Sequence, residues 1–316
     1  MENCNFTGYV RYFFIVGFPN LQDHQVPLFF VFLVFYLLIL ASNFTIIVAV
    51  VLDPKLHKPM YFFLTNLSIL DILLTTTTIP KMLAMFLVNS RLISAHGCFL
   101  QIYFFHGLAI TETFLLVVMS YDRYEAICHP LHYTVRMTKR GNIQLAAGAW
   151  VSALLVPIPA VVQSSQLVFS GTPKVYHCFC DHLAVVQAAC QNSYANFQNF
   201  LGFTVAMIVS FVPLLLVSIS YVYIILSILR ISSKDGRSKA FSTCSSHLIV
   251  VTTYYSSIAM AYLSYRADMP LDVHVMSNVV FAILTPLINP LIYTLRNKEV
   301  KNAVKKVVVL KMFHHH

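Results

Sequence analysis

Seven apolar runs decide what this chain can fold into. They cover roughly residues 25–51, 59–86, 96–128, 141–164, 196–229, 239–264 and 273–294, and each is at least as long as the roughly 20 residues that carry a helix through a bilayer core. Apolar residues make up 58% of the chain and charged residues only 10%, against about 25% charged in an ordinary soluble domain. A soluble fold is excluded. The chain reads as an all-α membrane protein, a bundle of seven transmembrane helices.

Charge sets the direction of threading. Sixteen of the 21 Lys and Arg residues fall in four places: Lys55 and Lys58; Arg123, Arg136, Lys139 and Arg140; Arg230, Lys234, Arg237 and Lys239; and six beyond Leu295. All four are on one side of a seven-span bundle, and basic loops stay in the cytosol. The net charge of +9 is thereby accounted for without nucleic acid as a partner. An odd number of crossings puts the amino end outside and the carboxyl end inside. Residues 1–24 then form an outer tail, 25–294 the bundle, 165–195 a long outer loop, and 295–316 a cytosolic helix and tail. The start lacks the basic segment of a cleavable leader, so the first span acts as its own insertion signal.

Asn5-Phe6-Thr7 is a glycosylation acceptor pattern on the outer tail. The same pattern at Asn43 and Asn66 lies inside spans, where no transferase reaches. Asp71 and Glu112 also fall within spans. An unpaired carboxylate at bilayer depth costs at least about 2.5–3.5 kcal/mol, so the two are expected to face inward and share a cation or a proton. Asn43 is expected to hydrogen-bond between helices. Pro213, Pro286 and Pro290 bend the helices that hold them. Val300, Val304, Val307 and Val308 recur at helical spacing among lysines, the pattern of a helix lying along the lipid of the inner leaflet.

At the end of the third run stands Met119-Ser-Tyr-Asp-Arg-Tyr-Glu-Ala-Ile-Cys128, followed by His129-Pro-Leu-His-Tyr133. A charged pair, Asp122-Arg123, at the mouth of an apolar helix can be held or released, as a switch requires. Three further strings accompany it: Leu56-His-Lys-Pro-Met-Tyr-Phe-Phe-Leu64, Lys239-Ala-Phe-Ser-Thr-Cys-Ser-Ser-His-Leu248, and Pro286-Leu-Ile-Asn-Pro-Leu-Ile-Tyr-Thr-Leu-Arg-Asn297. Together they resemble the motifs of olfactory receptors, a branch of the rhodopsin-like receptors coupled to G proteins.

That resemblance implies an odorant receptor of the plasma membrane in sensory cilia, acting through the stimulatory olfactory G protein α subunit and cyclic AMP. Its switch would be Asp122, Arg123, Tyr124, Tyr221, Lys239, His247, Asn289, Pro290 and Tyr293, with Asp122 holding Arg123 at rest. Released, Arg123 would meet Tyr221, Tyr293 and the G protein. Asp71 and Glu112 would hold a sodium ion, and the alternative is a protonated pair without metal. Cys98 would pair with Cys180. A small, mostly apolar ligand would lie among Phe105, His106, Ala109, Ile110, Val205, Ala206, Val209, Tyr255, Ile258, Ala259, Tyr262 and Arg266, each of which also suits plain helix packing. Arg266 is placed either to bind a carboxylate ligand or to pair with Asp268 or Asp272.

The chain departs from the family in four places. Ser42 replaces the Gly that usually precedes Asn43, and Tyr254-Tyr255 stands where Phe-Tyr is usual. Glu125 replaces an aliphatic residue beside the switch, and it either pairs with a nearby base or alters coupling. Ser170 stands where a cysteine partner for Cys190 is usual, while Cys178 is extra, so a compensating Cys178–Cys190 bridge is expected. Histidines 177 and 182 with Cys178 and Cys180 offer a weak zinc alternative. No His-Glu-x-x-His or Gly-x-Ser-x-Gly sequence supports an enzyme, and no internal duplication supports a carrier. The rival reading is a non-olfactory rhodopsin-like receptor for a small ligand.

Overall fold

The computed structural model describes residues 10–266 and 269–313; within these, the side chains of Lys239, Thr243, Tyr265, Arg266 and residues 308–313 lie outside the description. In hydrocarbon no water is available to satisfy backbone N–H and C=O groups, so the apolar runs fold as helices. They form α1 (Gln25–Leu52), α2 (Pro59–Val88) and α3 (Ala95–Cys128), then a short inner-loop helix α4 (Tyr133–Arg136) and the pair α5 (Lys139–Leu155) and α6 (Ile158–Ser164). The outer loop holds α7 (His182–Ala188), followed by α8 (Ser193–Leu229), α9 (Lys234–Arg266), α10 (Leu271–Arg296) and α11 (Lys298–Phe313).

Local chemistry sets the ends. Pro59 opens α2, where its missing N–H would have had no partner anyway. Ser94, Thr138, Asp181 and Asn192 each accept a backbone N–H at the start of α3, α5, α7 and α8. α2 ends on Asn89 in the left-handed region, φ 51°, a conformation asparagine tolerates. Pro157 lies where α5 gives way to α6, so the two make one bent crossing. Six of the seven crossings are both long and apolar enough for a membrane. The seventh, α9, has 33 residues, about 50 Å of helix, but Thr252, Thr253, Ser256 and Ser257 dilute its apolar character.

α2, α3 and α10 are the inner helices, with Leu67, Leu74, Leu115, Leu116 and Val279 almost wholly enclosed. Outward-facing Phe200, Phe211, Leu215 and Val222 of α8 stay exposed, as lipid-facing side chains must. At the inner end Val300, Ala303 and Val307 of α11 are buried, packed toward α1 and the turn at Pro54–Leu56. The flanking pairs Lys58–Glu299 (2.7 Å) and Lys306–Asp53 (2.9 Å) are solvated and contribute about 0–1 kcal/mol each. Apolar burial therefore holds this helix.

The outer end carries a three-stranded sheet that the hydropathy pattern did not announce. β1 (Tyr12–Ile15) lies between β2 (Leu92–Ser94) and β3 (Lys174–Val175), antiparallel to the first with Tyr12 opposite Ser94 and parallel to the second with Phe14 opposite Lys174. The sheet stitches the amino-terminal segment to two outer loops. A Cys98–Cys180 disulfide ties the long loop to the top of α3, where the Cys180 amide donates to Gln101 Oε1 at 2.8 Å. The expected Cys178–Cys190 bridge does not form: Cys178 is a free, fully buried thiol. It shares the apolar core beneath the sheet with Val175 and Phe179, whereas the chain turns through α7 and brings Cys190 against Val168. Cys190 is disulfide-bonded, but not to Cys178. With Cys180 oxidised, the zinc alternative also fails.

Candidate ligand cavity and inner-face switch

The inner end of the bundle is closed by hydrogen bonds between three helices. Arg123 Nη2 donates to Asp122 Oδ2 at 2.6 Å, and both groups are nearly enclosed. Tyr133 of α4 donates to the other carboxylate oxygen at 2.7 Å. Asp122 is therefore gripped from two sides. A buried pair of this kind is costly to break from one side only, because the remaining charge is stranded. Burial, then the negative Asp122 beside it, pushes the Tyr133 phenol up from its ordinary value.

Tyr221 and His247 stack with planes 8° apart, and Tyr221 Oη lies 2.7 Å from His247 Nδ1. The other ring nitrogen, Nε2, reaches the Leu116 carbonyl of α3 at 3.1 Å. A carbonyl only accepts, so Nε2 carries the proton, and the Tyr221 hydroxyl donates to Nδ1. Residue 247 thus bolts α9 to α3 and α8 at once. Tyr124 stacks edge-on against His129 and Tyr223, Tyr293 is fully enclosed with its hydroxyl unpaired, and the Lys239 side chain lies outside the described residues. Glu125 is 2% exposed and takes both bonds of a fork from Arg136 Nη1, at 2.9 and 3.0 Å. It pairs with a nearby base.

At mid-depth Asn289 bridges two carboxylates, with Nδ2 at 3.2 and 3.3 Å from the Asp71 oxygens and 3.2 Å from Glu112 Oε1. Glu112 Oε2 is buried without a hydrogen-bond partner. Nearby, Pro290 has no N–H to return to the Pro286 carbonyl one turn back, and Asn43 Nδ2 supplies the missing donor at 3.0 Å. Both prolines and the asparagine of the last span thus act through named partners.

The outer half holds a cavity of about 430 Å³ between α3, the α5–α6 bend, α7, α8, α9 and α10. Phe105, His106, Ala109, Ile110, Val205, Ala206, Val209, Ile258 and Tyr262 line it. Tyr255 and Ala259 do not: at about 100° per residue, the inward face of α9 runs through Tyr254, Ile258, Ala261 and Tyr262, and Ala259 faces out. Tyr254, not Tyr255, makes the floor, its hydroxyl at 2.8 Å from both the Ala109 carbonyl and Thr113 Oγ1. The Arg266 side chain and Asn5 lie outside the described residues.

Sequence reasoning missed the polar roof of this cavity: Asp181, His182, His274 and Asn278. A signal was available, since Asp181 directly follows Cys180, whose partner Cys98 is at the top of α3. Asp181 caps α7 by accepting the Leu183 amide at 3.1 Å. Its other oxygen stands 3.5 Å from His106 Nε2. Burial raises the Asp181 carboxyl, while the surrounding imidazoles of His106, His177 and His182 lower it, and the balance holds it below the ordinary carboxylate value. Burial pushes both His177 and His182 down to about 4. Gly202 of α8 admits the His182 ring, since a Cβ there would meet it at 2.7 Å.

The sequence profile of the olfactory receptor family matches residues 32–311. Human olfactory receptor 2AT4 is 61% identical over 297 residues, covering 94% of this chain and 92% of that protein. Human olfactory receptor 6N1 is 43% identical over 97% of each chain, and rat olfactory receptor 226 is 41% identical over 98% of this chain and 95% of its own. Members of that family are receptors rather than enzymes, and a profile match over most of the length places this multi-pass membrane protein among them: the chain belongs to the olfactory receptor family.

Proposed function

We propose that a small, largely apolar odorant occupies the outer cavity and shifts the receptor from a closed inner face to one that activates a heterotrimeric G protein of the stimulatory, olfactory type, raising cyclic AMP. The observation that carries this reading is the course of α9. Its cavity floor, Tyr254, and its inner bolt, His247, are seven residues apart, two turns along the same face. A tilt of one helix moves both. The ligand does so only to the extent that it binds the tilted form more tightly. Freed from Asp122, Arg123 is the cation that meets the carboxyl end of the G protein α subunit, at the plasma membrane of sensory cilia. The lysines of α11 lie toward lipid headgroups.

A cyclic AMP screen of acids, amines, alcohols and aldehydes in cells that display the receptor tests this. Ala206→Trp fills the cavity and is expected to abolish the response to any agonist found, with surface display retained. Unchanged potency in that variant would move the ligand elsewhere.

Sodium fits the mid-depth cluster chemically. Two carboxylates flank one amide, all hard oxygen donors, and Glu112 Oε2 has no other partner. Asp71, Glu112 and the Asn289 carbonyl would hold the ion and link α2, α3 and α10. Thermal stability of purified receptor is expected to rise with sodium over choline at constant ionic strength, and to lose that dependence in Asp71→Asn. A wild-type curve indifferent to sodium leaves the protonated pair as the answer.

A further inference from the structure

The cavity has an apolar body and a roof that only accepts hydrogen bonds. His106 Nδ1 lies 2.9 Å from the Ile102 carbonyl, which cannot donate, so Nδ1 carries the proton and the neutral ring turns the lone pair of Nε2 toward Asp181. Two acceptors, His106 Nε2 and Asp181 Oδ1, thus stand 3.5 Å apart on the wall of the cavity. A charge-assisted bond between an imidazolium and a carboxylate would close to about 2.7–2.9 Å, so the two are neighbours without a made bond. The same argument applies to His182. Ser164 gives its hydroxyl proton to the Ala160 carbonyl at 2.7 Å and lies 2.9 Å from His182 Nε2. Nε2 must then be the donor, which leaves Nδ1 as a third acceptor.

Nothing on the wall answers these acceptors. The cavity lining contains no Lys or Arg among the described residues, and burial keeps His182 neutral at physiological pH. A carboxylate facing an apolar space without a counter-charge costs free energy until a donor arrives. A metal ion is not that donor, because no third His, Cys, Asp or Glu completes a metal site with this pair among the described residues.

We infer that the preferred ligand is an apolar skeleton ending in a hydrogen-bond donor, an ammonium above a hydroxyl, which bridges Asp181 and His106, and that carboxylates are rejected. This rests on the cavity being the odorant site. It also assigns recognition to the loop that follows Cys180, and not to Arg266.

The test is a set with one skeleton: cyclohexylethylamine, cyclohexylethanol, the methyl ether of that alcohol, and cyclohexylacetic acid, compared by cyclic AMP response and by thermal shift of purified receptor. Potency is expected to fall in that order, with at least about tenfold between amine and ether. Asp181→Asn keeps the α7 cap and is expected to erase the preference for the amine while leaving the ether response within about twofold. The ether serves as the check on folding. Equal potency across the set, the acid ranking first, or a response abolished by a chelator would overturn the inference while leaving the cavity as the ligand site. A set silent in both assays, with wild-type receptor at the cell surface, would overturn the cavity reading and the inference together.

Discussion

The two ends of this bundle handle polar groups in opposite ways. At the inner end the charged and aromatic groups of the switch answer one another: Asp122 takes Arg123 and Tyr133, Glu125 takes Arg136, and His247 joins Tyr221 to the Leu116 carbonyl. At the outer end Asp181, His106 and His182 present acceptors to a cavity. A satisfied network rigidifies, and an unsatisfied one awaits a partner. The contrast teaches where each event of signalling belongs: capture at the end with unmet hydrogen-bonding capacity, response at the end whose bonds must be exchanged.

Breaking the inner end should have the largest effect. Arg123→Gln removes the charge that the reading assigns to the G protein, and agonist-evoked nucleotide exchange is expected to disappear in receptor that still reaches the membrane. Intact exchange in that variant would collapse the contrast. His247→Phe keeps the stack on Tyr221 but removes both hydrogen bonds, each worth about 1 kcal/mol. Raised basal cyclic AMP, by several-fold, and a lower melting temperature are expected. If basal signalling stays flat while stability falls, His247 is packing alone.

The outer end can be sharpened by pH. His177 and His182 are held neutral down to about 4, whereas the unfolded chain takes up protons below about 6.5. Below that value the unfolded state binds more protons, so the stability of the loop is full above pH 6.5 and is lost as pH falls toward 4. Hydrogen exchange of residues 165–195 should accelerate over that window, and His182→Gln should flatten the response. A window at higher pH would show that the imidazoles are charged in the folded loop.

Much of the fold was legible because membrane helices announce themselves: long apolar runs bounded by Lys and Pro admit few alternatives, and α1 to α3 begin and end within two residues of where the pattern puts them. The switch was legible too, since Asp122, Arg123, Tyr221 and His247 stand in local strings. What escaped depends on contacts between distant segments. Tyr133 acts only because α4 folds back onto α3. Tyr254 displaced Tyr255 because neighbouring tyrosines on a helix point about 100° apart, and a string cannot say which faces in. Cys178 and Cys190 are twelve residues apart, yet α7 intervenes and separates them in space. The sheet of β1, β2 and β3 joins parts of the chain whose pairing no local pattern encodes.

One small contact has a long reach. The Pro286 carbonyl is orphaned by Pro290 and taken up by Asn43, so the bend of the last crossing is completed by an atom of the first. Rotating α10 alone would leave that oxygen bare in hydrocarbon, at a cost of several kcal/mol. The first and last crossings are therefore geared: they turn as a pair or not at all, and the outward swing that opens the inner face falls to the helices on the other side of the bundle.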